Sequence, residues 1–310
     1  MSGALRPREL GRTGLRVTPL CYGCAPLGSM PETFGYGVPE EQALATLREI
    51  FRGPVNFIDT AASYGDGESE RRIGLALKEL GGLPEGFVLS TKADRDLSTG
   101  EFSGEQMRRS VERSLSLLGL NRLQIVHLHD PEHTTFEEAM AKGGPVETLM
   151  KLKDEGVIEH LGVAGGPVDM MIRYVETGCF ELAITHNRYT LLDQSAAPLL
   201  DVAASHGVAV LNAAPYGGGI LARGPEEYPR YAYSEAPPQL LERARRIAEV
   251  CREAGVPLAA AALQFSLRES RIASTIVGVS SPEHVRATLE LVSTPIPDAL
   301  WSEIDVALDV

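Results

Sequence analysis

Short apolar, β-branched runs alternate with amphipathic helical runs along the whole chain. The strand-like runs fall at residues 20–24, 55–59, 87–92, 123–129, 160–163, 181–186, 208–213 and 274–278, each bounded by turn residues. Helical patterns occupy 40–51, 70–80, 104–118, 146–155, 168–177, 196–206, 238–254 and 282–291. The first helix keeps Ala43, Leu44, Leu47 and Ile50 on one face, and the second keeps Ile73, Leu77 and Leu80. The third opens after Ser103, a good N-cap, and stops before Gly119. Eight strand–helix pairs predict an α/β fold, a parallel (β/α)8 TIM barrel. A doubly wound sheet is the competing arrangement, but it usually carries a Gly-rich phosphate turn after its first strand. Neither GxGxxG nor GxxxxGK[ST] occurs in this chain.

Before the first strand, the run around Thr13-Gly14 reads as a β-hairpin that could plug the barrel floor. After the last barrel helix, 298–308 reads as an extra C-terminal helix. Two irregular stretches, 28–39 and 217–237, follow the first and seventh strands, on the side where barrel enzymes build their sites. The second holds Tyr228, Tyr231 and Tyr233 and reads as a lid. With no internal repeat, linker or low-complexity tract, residues 1–310 read as a single domain.

The net charge of −13 argues against a nucleic-acid partner, which calls for a basic face. No apolar run approaches the roughly 20 residues of a membrane span. The N-terminal stretch is basic and polar, without the apolar core of a signal peptide, so a cytoplasmic protein is expected. A monomer or small homo-oligomer is expected, with a small-molecule substrate. Cys21, Cys24, Cys179 and Cys251 read as reduced cysteines: the lone CxxC lies in an apolar strand with no second ligand pair. No metal site is expected, because His129 is the only clear ligand type at a strand end.

The strand ends carry the chemistry. Asp59, Lys92 and His129 close strands two, three and four, and in a parallel barrel these ends share one face. Alternation puts Asp59 in phase with Phe57, Lys92 with Val88 and Ser90, and His129 with Ile125 and His127. Tyr64 follows strand two and can fold back over the same spot. A free tyrosine titrates near about 10, and a nearby ammonium favours its phenolate. The set therefore suggests a Tyr–Lys proton relay, with Asp59 holding the ammonium and His129 orienting a substrate oxygen. His127 lies deeper and reads as a core histidine. Each residue alone has an ordinary structural explanation, such as a cap, a solvated amine or a turn. Their coincidence on three consecutive strands favours a site.

At this point the sequence resembles the aldo-keto reductases. The resemblance is carried by RELGRTGLRVTPLCYG, NFIDTAASYGDGESERRIGLAL, LSTK and LQIVHLHDPE, and it extends over nearly the whole chain. It implies a (β/α)8 barrel that binds NAD(P)H without a Rossmann domain, and a catalytic tetrad at Asp59, Tyr64, Lys92 and His129. Tyr64 would be the general acid/base, Lys92 and Asp59 its tuners, and His129 the orienting group, with hydride passing directly between nicotinamide and substrate carbon.

The second half departs from the family pattern. The usual carboxamide-holding Ser-Asn falls on Ala164 and Gly165, and the usual Gln on His186, followed by Asn187. The nicotinamide-stacking aromatic falls on Ala213, leaving Tyr216 or Asn187 as substitutes. The remaining expected cofactor contacts are Pro215, Gly217, Gly219, Leu221, Gly278, Ser280 and His284. The pyrophosphate is expected by the loops after strands seven and eight, at the helix that starts with Pro282. The only basic residue near that start is Arg286, and Glu283 would repel a 2′-phosphate, which favours NAD over NADP. HNRYTLLDQ and NAAPYGGGIL resemble the sugar-oxidising members, the L-fucose, L-galactose and D-threo-aldose dehydrogenases. That implies oxidation of a pyranose at C1 to its lactone. The alternatives are an NADPH-dependent aldehyde or ketone reductase and a non-catalytic nicotinamide-binding sensor or partner subunit.

Overall fold

The computed structural model describes residues 5–308. Eight parallel strands close into a barrel, in chain order: β1 (Leu20–Gly23), β2 (Phe57–Asp59), β3 (Val88–Ala93), β4 (Leu123–His129), β5 (Ile158–Ala164), β6 (Leu182–His186), β7 (Ala209–Ala213) and β8 (Ile272–Gly278). The ring is completed by β8 against β1, with Thr275 opposite Leu20 and Gly278 opposite Gly23.

The helices outside the barrel are α1 (Glu40–Arg52), α2 (Glu68–Leu80), α3 (Gly104–Leu118), α4 (Pro145–Asp154), α5 (Val168–Glu176), α6 (Ala197–Ser205), α7 (Pro238–Glu253), α8 (Leu258–Leu267), α9 (Pro282–Ser293) and α10 (Asp298–Leu308). The helical periodicity at 238–254 is real, but that helix, α7, packs against α10 on the outside. The helix against β8 is α8, which the sequence reading passed over. Its sequence, LAAAALQFSL, is apolar on nearly every side and has no polar face to give it a helical period. Among the described residues, no helix is long and apolar enough to cross a membrane.

Two apolar layers follow from side-chain alternation. Outward residues such as Ile58, Leu89, Val126 and Val163 meet the helices. Inward residues such as Phe57, Val88, Ile125 and Leu211 form an inner cluster, joined by Leu10 and Val17. Those two residues come from the N-terminal hairpin, in which Arg8–Glu9 pairs with Arg16–Val17. The hairpin plugs the floor: Arg8 donates to the carbonyls of Ala273 (2.7 Å) and Ile272 (2.7 Å), and Arg12 to that of Phe180 (3.0 Å). With the floor filled by apolar side chains, polar inward residues are left to the upper layers, towards the strand C-termini. All four cysteines are free, and burial pushes the Cys21 and Cys24 thiols far up.

Candidate active site

The upper layers of β2, β3 and β4 hold the four strand-end residues together. Asp59 lies opposite Ser90 in the β2–β3 ladder, and Lys92 opposite His127 in the β3–β4 ladder. The Lys92 ammonium donates to Asp59 Oδ1 at 2.5 Å and to the Thr60 carbonyl at 2.6 Å. Ser90 Oγ donates to Asp59 Oδ2 at 3.0 Å. The ammonium also lies 4.8 Å from the centre of the Tyr64 ring. Tyr64 meets the His129 ring edge-on, with centroids 5.9 Å apart. Asp59, Lys92 and His129 are buried, whereas Tyr64 keeps a partly accessible surface.

Tyr64 is held by a backbone crossing. Gly65, at φ +61°, lies so close to Gly28 that a Cβ there would fall 2.0 Å from the Gly28 carbonyl oxygen. Only glycine combines that dihedral with that approach. The loop on the other side is fixed by Arg72, which is buried and donates to the carbonyls of Leu27 (2.6 Å) and Val38 (2.8 Å).

The electrostatics depart from the simple relay. Burial raises the Tyr64 phenol and Lys92 opposes it, but the net shift is upward. Burial alone would lower Lys92, yet Asp59 and Tyr64 outweigh it and keep the amine charged. The main reason is burial, and Asp59 adds to it by partly neutralising the cation that would lower the tyrosine. At rest, Tyr64 is therefore a neutral phenol and a hydrogen-bond donor. His127 is fully buried beneath this layer, and burial, followed by Lys92 and His129, drives it well down to the neutral form.

A fifth residue was not anticipated. Asp94 Oδ1 lies 2.6 Å from His129 Nδ1, and both side chains are buried. Asp94 Oδ2 accepts from the Ser63 amide at 2.9 Å. Burial would raise the Asp94 carboxyl, but His129 pulls it below its ordinary value. Burial would lower His129, but Asp94 and then Asp130 raise it. The signal was present in the sequence: Asp94 shares the parity of Lys92, just past the end of β3.

The ends of β5 to β8 carry the expected cofactor positions. Ala164 pairs with His129 in the β4–β5 ladder. Next to it, a Cβ on Gly165 would sit 3.0 Å from Glu132 Oε2 and 3.0 Å from Met171 Sδ, so those side chains hold the space of the usual carboxamide ligand. His186 pairs with Ala213 across β6 and β7. Asn187, at φ +57°, follows at once; its buried Oδ1 has no hydrogen-bond partner among the described residues. Asp130, Glu132 and His186 converge within 4.8 Å, forming a polar cluster at the mouth. Arg188 closes the group by donating to the Gly166 carbonyl, and the Gly166 amide donates to Glu132 at 3.1 Å.

The segment after β7 begins with buried Pro215 and half-buried Tyr216, then the turn Gly217–Gly219, in which all three residues have positive φ. Leu221 is fully buried in the outer helical cluster, so only its backbone is available to a ligand. The predicted tyrosine lid is a small hairpin, Arg230–Tyr231 against Ser234–Glu235. Tyr231 donates to the Asn187 carbonyl at 2.5 Å, and the Tyr233 ring meets Phe34 edge-on at 6.1 Å, so the loops after β7 and β1 touch. After β8, Gly278 opens the turn, Ser280 Oγ lies 2.9 Å from His284 Nδ1, and Ser281 caps α9 through the His284 amide at 3.3 Å. Arg286 is bound by Glu49 (3.1 Å) and Glu283 (2.7 Å).

These residues fit a nicotinamide dinucleotide. Asn187 Oδ1 is a buried acceptor suited to a carboxamide N–H, and in the glycine turn the Gly217 and Gly219 amides are bonded to the Ala214 and Tyr216 carbonyls, which leaves the Gly218 amide to an anion such as a pyrophosphate.

Comparison with known proteins agrees with this geometry. Residues 19–309 match the model of the aldo/keto reductase family. The chain is 34% identical to L-galactose dehydrogenase of Arabidopsis thaliana, over 97% of this chain and 94% of that protein. It is 32% identical to D-threo-aldose 1-dehydrogenase of a Pseudomonas species, over 94% of each. Among solved structures, an aldo-keto reductase of Bacillus halodurans in its holo form superposes with a TM-score of 0.78 at 25% identity, covering 98% of this chain and 96% of that one. With its closed parallel barrel, the chain belongs to the aldo/keto reductase family and is an NAD(P)-dependent oxidoreductase.

Proposed function

We propose that the protein is a single-domain aldose 1-dehydrogenase, oxidising C1 of a pyranose of the L-fucose, L-galactose or D-threo-aldose type to its lactone. The observation that carries the proposal is the convergence of Asp59, Lys92, Tyr64 and His129 on one point of the mouth. The names of the relatives, L-galactose dehydrogenase and D-threo-aldose 1-dehydrogenase, support the substrate class. So does the polar rim of Asp130, Glu132, His186, Asn187 and Arg188, since a sugar needs many hydrogen-bonding partners.

The bound nicotinamide supplies the hydride acceptor. Asn187 and the Gly217–Gly219 turn would hold it, with the start of α9 facing its phosphates. Tyr64 and His129 flank the substrate oxygen, with Tyr64 as general acid/base. The ion pair of Lys92 and Asp59 fixes the floor under Tyr64. NAD is favoured over NADP because Arg286, the basic residue at the start of α9, is already engaged by Glu49 and Glu283.

The test is a coupled-free absorbance assay of NAD⁺ and NADP⁺ reduction with L-fucose, L-galactose and an aromatic alcohol. NAD⁺-linked sugar oxidation with the higher kcat/KM is expected. Fast NADPH-linked aldehyde reduction without sugar oxidation would replace this reading with the reductase one.

A further inference from the structure

Regular alternation along β4 would send residue 130 outward, in phase with Leu128 and away from the mouth. The backbone does otherwise. Asp130 stands at φ +43° and ψ 55°, in the left-handed region, although it precedes Pro131, which favours extended backbone. With that turn, Asp130 Oδ1 lies 3.6 Å from His129 Nε2, and its carboxylate comes within 4.8 Å of Glu132 and His186. We propose that Asp130 is a specificity-determining residue whose carboxylate accepts a hydrogen bond from a hydroxyl on the carbon next to the reacting one. The protein thereby selects aldoses and other 2-hydroxy carbonyl compounds over simple carbonyls. The proposal rests on the reading of the mouth given above and names the part of the sugar that is read there.

Three observations carry it. The carboxylate is available: among the described residues it has no side-chain hydrogen bond and no lysine or arginine partner, and its contact with His129 is longer than a hydrogen bond. The side chain also stays 33% exposed at the mouth. The neighbouring groups are already engaged. Glu132 Oε1 accepts from the Gly166 amide at 3.1 Å, Arg188 donates to the Gly166 carbonyl, and Asp94 is taken by His129 and the Ser63 amide. Lastly, the left-handed conformation is pinned from both sides. The Asp130 amide donates to the Ala164 carbonyl at 2.8 Å, and the Asp130 carbonyl accepts from the His133 amide at 3.0 Å. Backbone strain held in place beside reactive groups is a mark of function, because it costs stability.

Tyr64 and His129 flank the reacting oxygen, and Tyr64 moves the proton. Oxygens on neighbouring carbons stand about a hydrogen-bond length apart. A reacting oxygen seated at His129 therefore brings the next hydroxyl within reach of Asp130. In a pyranose oxidised at C1, that hydroxyl is the one on C2. Its O–H donates to the carboxylate, a charge-assisted hydrogen bond. A substrate without it puts a C–H against the carboxylate and displaces the water that solvated it, which weakens binding in the ground state and in the transition state.

The experiment crosses substrate with variant. kcat/KM is measured for oxidation of L-galactose and 2-deoxy-L-galactose, and for reduction of glycolaldehyde and acetaldehyde, each with the better nucleotide. Wild type is compared with Asp130→Gly and Asp130→Asn, since glycine and asparagine both accept the left-handed backbone. The wild type is expected to favour the hydroxylated member of each pair by roughly 10–10²-fold. Asp130→Gly should bring that preference to within about threefold of unity, and Asp130→Asn, a neutral acceptor, to a value in between. A preference that Asp130→Gly leaves unchanged overturns the proposal, as does a wild type without one. If Asp130→Gly does not fold, Asp130→Asn decides, and a preference it does not move overturns the proposal. The sugar pair decides wherever it reacts. If the wild type oxidises no sugar, the sugar reading fails, and the glycolaldehyde pair decides the role of Asp130. If neither pair reacts, the proposal falls.

Discussion

The ends of β2 to β4 and the ends of β5 to β8 border one opening, yet they are built differently. In the first group the charged strand-end side chains are buried and paired: Lys92 with Asp59, and His129 with Asp94. In the second group His186 and Arg188 are half-exposed, and the buried Asn187 Oδ1 has no hydrogen-bond partner among the described residues. Buried paired charges tolerate little change, because removing one member strands the other. Loops resting on a finished barrel can change without that penalty. On the proposed function, this difference would set the reaction in one half of the mouth and substrate and cofactor choice in the other.

The most demanding test of this contrast is Tyr64→Phe, expected to lower turnover for aldehyde reduction by roughly 10²–10⁴-fold with an unchanged melting temperature. A variant that keeps its rate would detach the first half from the chemistry. Asp59→Ala should instead be read in urea unfolding, with a loss of about 3–5 kcal/mol, since Lys92 remains buried without its carboxylate.

Behind β3, Glu70 of α2 offers a pH test. Burial raises its carboxyl to about 7, against a hydrogen bond from Thr91 that lowers it. The raised value means that the native state keeps a proton which the unfolded chain loses above its ordinary value of 4.5. Its contribution is therefore full at low pH and is lost as pH rises from 4.5 through about 7. Glu70→Gln should remove this decline, worth roughly 3 kcal/mol, in denaturation curves recorded across that window.

In the second half the effects should be smaller and should fall on binding. Tyr231→Phe gives up the hydrogen bond to the Asn187 carbonyl and should raise KM several-fold, about 1 kcal/mol, with kcat kept. Glu283→Gln frees part of Arg286 and should improve NADP⁺ binding by a few-fold, measured as the ratio of dissociation constants for the two nucleotides.

The same division governs what could be read in the sequence. The barrel was legible because each strand is short, apolar and followed by a helical pattern. The convergence of these side chains was legible because strand parity sends Asp59, Lys92 and His129 inward at one end. Element edges moved by a few residues: β5 runs over Ile158–Ala164 rather than 160–163, and α2 begins at Glu68 rather than Glu70. Helix α8 escaped because an almost wholly apolar helix has no period to detect. Asp94 escaped because a carboxylate beyond a strand end looks like an ordinary cap until β4 places His129 beside it. The loop geometry after β5 was not legible, because it depends on which side chain fills the space over Gly165, and that residue, Glu132, comes from a different loop.

The closure of β8 onto β1 has a consequence for how this molecule comes into being. All four tetrad residues have been translated by residue 129, but the strand that seals the ring ends at Gly278. A nascent chain thus carries all four groups for nearly half of its synthesis without the wall that buries them. Pairings between such distant segments form late and slowly, and open strand edges invite aggregation in the meantime. The emerging half-barrel, with Lys92 and Asp59 still in water, is therefore where crowding or a chaperone would act most strongly on the yield of active protein.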